Sequence, residues 1–235
     1  MTLLCGKGIW LAHSYDLQRG AEIATAIRGT HLLVKVGHGP YYFPETTREM
    51  VQRVQTLGFH PIAWVEITPR APRAARKAII RALSSGYTAA VLTMTHPDIP
   101  APAMRALAQA LINVDIPRQR LMLSTPPVSR FPNNEALEAI APLCQGGWMP
   151  LCINREGQSA EQVIDQEIYQ TLGDLSLLWD MTPEVYPVLS PRTSSEGKPF
   201  LPETFIDWVD SIARHGVDFF TVYHAAITEK ALWPM

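Results

Sequence analysis

Eight short apolar runs recur along the chain, and each except the last is followed by a stretch with helical spacing of apolar residues. The runs are Gly8–His13, Leu32–Gly37, Pro61–Ile67, Ala89–Thr95, Arg120–Thr125, Trp148–Asn154, Val185–Ser190 and Asp218–His224. Each has the length of a buried strand. Strict alternation of such strands with helices favours parallel strands joined by crossover helices. Eight units point to closure, so the reading is an α/β chain folded as a (β/α)8 TIM barrel. The 235 residues match the roughly 250 of one barrel. No Gly/Ser tract or charge block divides them, so residues 1–235 are expected to form a single domain. An open doubly wound sheet is disfavoured because the first strand-to-helix turn has no glycine-rich phosphate loop.

The helical stretches carry one apolar face each. They are Leu17–Ile27; Met50, Val51, Val54 and Leu57; Ala75, Ala78, Ile79 and Ala82; Met104, Leu107, Ala108 and Leu111. Further along come Leu137, Ile140 and Ala141; Val163, Ile164, Ile168 and Leu172; and Phe205, Trp208, Val209 and Ile212. The segment Leu175–Pro183 is assigned to no element. Only a short tail follows the eighth run, so the last helix is expected to be degenerate.

Composition narrows the function classes. Apolar residues make up 47%, enough for a large core, and the formal net charge is −2. That balance gives no footprint for nucleic acid. Cys5, Cys144 and Cys152 have neither an even count nor a CxxC spacing, so reduced thiols are expected. No basic segment followed by an apolar one opens the chain, and no run approaches the ~20 apolar residues of a membrane span. A cytoplasmic protein without a membrane partner is expected.

In such a barrel chemistry sits where the strands end. His31, His60 and His215 precede strands, whereas His13, His38, His96 and His224 lie at strand ends. The first, second and eighth strands are neighbours in a closed barrel, so His13, His38 and His224 can converge. With Glu66 they would suit a metal-dependent hydrolase or lyase. The spacings His-x-His and His-Glu-x-x-His are absent, so no metal and no other cofactor is expected.

Glu66 is the sharpest single candidate, because a carboxylate inside an apolar strand is costly to bury unpaired. Period-two alternation puts Trp64 and Glu66 on one face, and Leu33, Lys35 and Gly37 on another. If both faces point inward, Lys35 and Glu66 form an ion pair. That pair serves either as a barrel salt bridge or as a general acid or base, Glu66, tuned by Lys35. Candidate substrate contacts are His13, His38, Trp64, Thr93, Thr95, Asn154, Tyr223 and His224. This polar, aromatic rim suits a neutral, hydroxyl-rich ligand better than a phosphate.

Gly8-Ile9-Trp10, Leu33-Val34-Lys35-Val36-Gly37-His38-Gly39 and Ala63-Trp64 carry a resemblance. In these motifs, and in the order of its elements, the chain resembles the lysozyme-like glycoside hydrolase barrels. The resemblance implies a barrel with a carbohydrate cleft and a saccharide or other small-molecule ligand. The family places an Asp-x-Glu pair at the end of the fourth strand, where this chain has Thr93 and Thr95. Glycoside hydrolysis ordinarily uses two carboxylates, and Glu66 supplies one. The expectation is therefore a divergent or inactive glycosidase, with a non-catalytic binding module as the other reading.

Overall fold

The computed structural model describes residues 4–69, 74–96, 98–126, 134–152, 159–169, 172–190 and 202–228. In chain order they form β1 (Gly6–Leu11), α1 (Leu17–Ala26), β2 (His31–His38), β3 (Tyr41–Tyr42), α2 (Arg48–Thr56) and β4 (His60–Glu66). Next come α3 (Ala74–Ser85), β5 (Ala89–Thr93), α4 (Ala101–Ile112), β6 (Leu121–Thr125), α5 (Glu135–Ile140) and β7 (Trp148–Cys152). The short α6 (Ala160–Gln162) runs into π-helical turns at Val163–Tyr169, followed by α7 (Leu172–Trp179), β8 (Val188–Leu189), α8 (Pro202–Arg214) and β9 (Phe219–Val222).

Eight of the strands are parallel and close on themselves. β1 pairs with both β2 and β9, and the order round the ring is β1-β9-β8-β7-β6-β5-β4-β2. The short β3 is an antiparallel addition to the end of β2. The expected (β/α)8 barrel is therefore the observed fold.

Alternation along the strands divides the core in two. Trp10, Leu33, Ile62, Trp64, Val91, Met122, Met149, Val188 and Phe219 fill the interior. The residues between them, such as Ile9, Leu11, Val34, Ala63 and Leu92, pack outward against the helices. Helix periodicity was legible: Ala75, Ala78, Ile79 and Ala82 of α3 are all buried, as are Met104, Leu107, Ala108 and Leu111 of α4.

Three expectations need correction. Leu57 lies one residue beyond α2 and is 42% exposed, because Thr56 is already the last helical residue. The run Val185–Ser190 yields a strand of only two residues, since Pro187 has no N–H to continue the ladder; Val185 keeps an isolated bridge to Trp148. Residues 172–179, left partly unassigned, form α7, and its Trp179 is buried, donating to the Cys144 carbonyl at 3.2 Å.

At the opposite end from the strand C-termini, His31 is buried beside His60, with ring centroids 5.1 Å apart. Burial, and then the charge of His60, push its pKa down to about 4. The unfolded chain, with a pKa near 6.5, binds the extra proton between those values. His31 therefore leaves stability intact above pH 6.5 and removes it as the pH falls toward 4, by up to about 3 kcal/mol. Urea denaturation at pH 7 and pH 4.5 should give a smaller difference for His31→Gln than for the natural protein.

Candidate functional site

The site is built by one irregularity in β2. Its register with β4 runs Leu33 to Ile62, Val34 to Ala63 and Lys35 to Trp64, then slips, so that Gly37 faces Val65 and His38 faces Glu66. The extra residue is a β-bulge, which re-aims the side chains beyond it. Strict alternation would send Lys35 inward and His38 outward. The slip past Lys35 leaves that residue inward and turns His38 to the same side, toward Glu66.

Glu66 Oε2 accepts from Lys35 Nζ at 2.7 Å and from His38 Nδ1 at 2.8 Å. Thr95 Oγ1 donates to the other carboxylate oxygen at 3.4 Å, a long contact. The Lys35 and Glu66 side chains are each 17% exposed and that of His38 is 44% exposed. Burial pushes the Glu66 carboxyl up, but the hydrogen bonds and charges of Lys35 and His38 outweigh it and hold the group below the usual carboxylate range. Glu66 is therefore ionised at neutral pH, a base or hydrogen-bond acceptor rather than an acid.

Aromatic rings support this cluster. Tyr223 lies parallel to Trp64 with centroids 5.5 Å apart, Trp10 meets Trp64 at 4.7 Å, and Lys35 Nζ sits 4.9 Å from the centre of the Trp64 ring. Trp10 is anchored by its indole N–H to Thr221 Oγ1 at 2.7 Å. Burial and then the Glu66 charge push the Tyr223 phenol up, so it stays a hydroxyl donor. The ladder sets His38, Glu66, Thr93 and Ser124 at one level on four adjacent strands. The buried Thr93 and Ser124 hydroxyls and the Trp64 indole N–H have no hydrogen-bond partner among the described residues.

The turn that follows the bulge is equally constrained. Gly39 has φ +53°, and a Cβ there would meet Thr68 Oγ1 at 2.6 Å; its N–H donates to the Glu66 carbonyl at 2.9 Å. Gly39→Ala should cost about 1–2 kcal/mol for the left-handed backbone alone, measurable by urea denaturation.

The structure brings together Lys35, Glu66, His38 and Thr95, with Trp64 and Tyr223 beside them. Thr93 is buried at the level of Glu66. The expected convergence of three histidines does not occur. β1 ends at Leu11, so His13 falls in the following turn, exposed and stacked on Tyr15 at 4.7 Å. His224 packs edge-on against Tyr223 at 5.0 Å. Among the described residues no group of three or more His, Cys, Asp and Glu side chains is placed to hold a metal ion. Asn154 lies outside the described residues. Sequence reasoning had His38 as a ligand contact and missed it as a partner of Glu66; the Val-Gly-His stretch was the available signal, since glycine inside a strand marks a bulge.

No family model and no curated sequence matches the chain. Solved structures do match. A tamarind chitinase-like lectin aligns with TM-score 0.56 and 10% identity over 95% of this chain and 96% of its own. The GH18 chitinase ChiB from the chitin utilization locus of Flavobacterium johnsoniae gives TM-score 0.56 and 9% identity, over 96% and 89%. A xylanase and alpha-amylase inhibitor protein from Scadoxus multiflorus gives 0.55 and 11%, over 95% and 94%. The likeness is one of fold, the (β/α)8 barrel. No helix among the described residues is long and apolar enough to cross a membrane.

Proposed function

We propose that this barrel binds a neutral carbohydrate or polyol at the mouth where its strands end. The observation that carries the reading is the ionised Glu66, set among the Lys35, His38, Thr95 and Tyr223 polar groups. A carboxylate held this way accepts from ligand hydroxyls, and the neighbouring hydroxyls and ammonium donate to ligand oxygens. Trp64 acts through Tyr223, whose ring it backs. Two of the structural neighbours, a chitinase-like lectin and a chitinase, agree with a carbohydrate ligand.

Glycosidase chemistry of the usual kind is less well supported. It requires an acid to protonate the leaving oxygen and a second carboxylate across the bond. Glu66 is held ionised, and its side-chain partners among the described residues are a lysine, a histidine and a threonine.

A thermal-shift screen with chito-oligosaccharides, peptidoglycan fragments and simple polyols tests the reading. Binding to the folded state alone adds about 2.7 kcal/mol at a hundredfold excess over Kd. The expected result is a concentration-dependent rise in Tm that Glu66→Gln diminishes. An equal rise in both proteins removes Glu66 from the site, and no rise with any saccharide or polyol contradicts the proposal.

A further inference from the structure

The bond between His38 and Glu66 has a direction. Glu66 is ionised and so can only accept. His38 Nδ1, 2.8 Å from Oε2, must therefore carry the hydrogen. In the neutral imidazole the lone pair then resides on Nε2, which has no hydrogen-bond partner among the described residues, on a side chain 44% exposed at the mouth. A carboxylate that fixes the tautomer of a histidine and leaves the far nitrogen basic is the orienting half of a general-base dyad.

We infer that His38 is a general base at the barrel mouth, positioned by Glu66, and that it activates water against an acyl ester carried by a hydroxyl-rich molecule. This deepens the carbohydrate reading and rests on it for the alcohol part of the substrate. The ester follows from the groups present. A base beside a cation suits attack on a carbonyl, whereas glycoside cleavage needs an acid that this cluster lacks. Lys35 and His38 share one oxygen of Glu66, so the ammonium is held next to the imidazole.

In the reaction, Nε2 takes a proton from water as the water oxygen bonds to the acyl carbon, and the carbonyl π pair moves onto oxygen. The Lys35 ammonium stabilises that negative charge. The Glu66 carboxylate stabilises the imidazolium without taking its proton. When the tetrahedral species collapses, the C–O bond to the alcohol breaks and the leaving oxygen takes the proton from Nε2. Water and ester become acid and alcohol, and His38 returns to its starting form. His38 is the catalytic residue; Glu66 is a positioning residue.

Two measurements on the full chain test this. Long-range 1H–15N spectra at pH 8 should show His38 with hydrogen on Nδ1, the tautomer opposite to that favoured by a free imidazole side chain in water. Glu66→Gln should shift it toward the other form. Hydrolysis of p-nitrophenyl acetate should exceed the buffer rate, rise with pH to a plateau, and fall at least tenfold in His38→Gln and in Glu66→Gln. Hydrogen on Nε2 in the natural protein overturns the inference without needing any variant to fold. So does equal hydrolysis by the natural protein and His38→Gln. If saccharides still raise Tm in that case, the binding reading stands and only the base is lost; if ester hydrolysis depends on His38 while no saccharide or polyol binds, the base stands and the alcohol class is wrong.

Discussion

Trp64→Ala should destabilise the fold by about 3–5 kcal/mol, the range for removing a large aromatic from a packed core. Trp64 is 2% exposed and lies within the barrel, against Trp10, Tyr223 and the Lys35 ammonium. These neighbours lie on β1, on the residue that follows β9, and on β2, so the ring ties all three places to β4. Collapse into the gap is limited because Trp10 is itself pinned to Thr221. Trp64→Phe should recover part of the loss, since it keeps a ring beneath Tyr223. Urea denaturation at neutral pH measures both. A cost below about 1 kcal/mol for the alanine variant would mean that the interior is not packed around this ring.

Lys35→Met should cost about 1–3 kcal/mol at pH 7, less than the 3–5 of a fully buried pair because both partners keep some solvent contact. The variant leaves Glu66 with His38 as its one close nitrogen partner among the described residues, in a place where burial alone would raise the carboxyl pKa. The pH dependence has a definite sign. In the natural protein the folded pKa of Glu66 lies below the unfolded value. Its stabilisation is therefore present above the unfolded pKa, near 4.3–4.5, and disappears as the pH falls through the folded one. The deficit of Lys35→Met should accordingly be largest at neutral pH and shrink in acid, where Glu66 is protonated in both proteins. Adding Glu66→Leu should restore much of the loss, because removing both charges removes the uncompensated one. A deficit that is the same at pH 7 and pH 3.5 would show that Lys35 acts by packing on Trp64 alone.

The barrel was legible because two periodicities rarely agree by accident. Alternation in Pro61–Ile67 placed Trp64 and Glu66 on one face, and the 3.6 spacing of Ala75, Ala78, Ile79 and Ala82 placed α3 against the sheet; both are observed. The Lys35–Glu66 pair followed from the same alternation, since a slip occurs only past Lys35. His38 was not legible as a partner of Glu66, because the bulge breaks the period of two between Lys35 and Gly37. His13 and His224 shared a strand end with His38 but not its geometry. Proximity of strands says which loops are neighbours, not which way a loop side chain turns. The antiparallel Tyr41–Tyr42 strand escaped notice for its length, and α7 because apolar residues surround it with little contrast between faces.

The most direct test of the account is an NMR titration of the isotopically labelled protein with the saccharide or polyol that gives the largest thermal shift. The account predicts that perturbed resonances concentrate at Lys35, His38, Glu66, Thr95 and Tyr223, and that Glu66→Gln weakens the binding that causes them. Perturbations confined to another face of the barrel, with these residues unmoved, would contradict it.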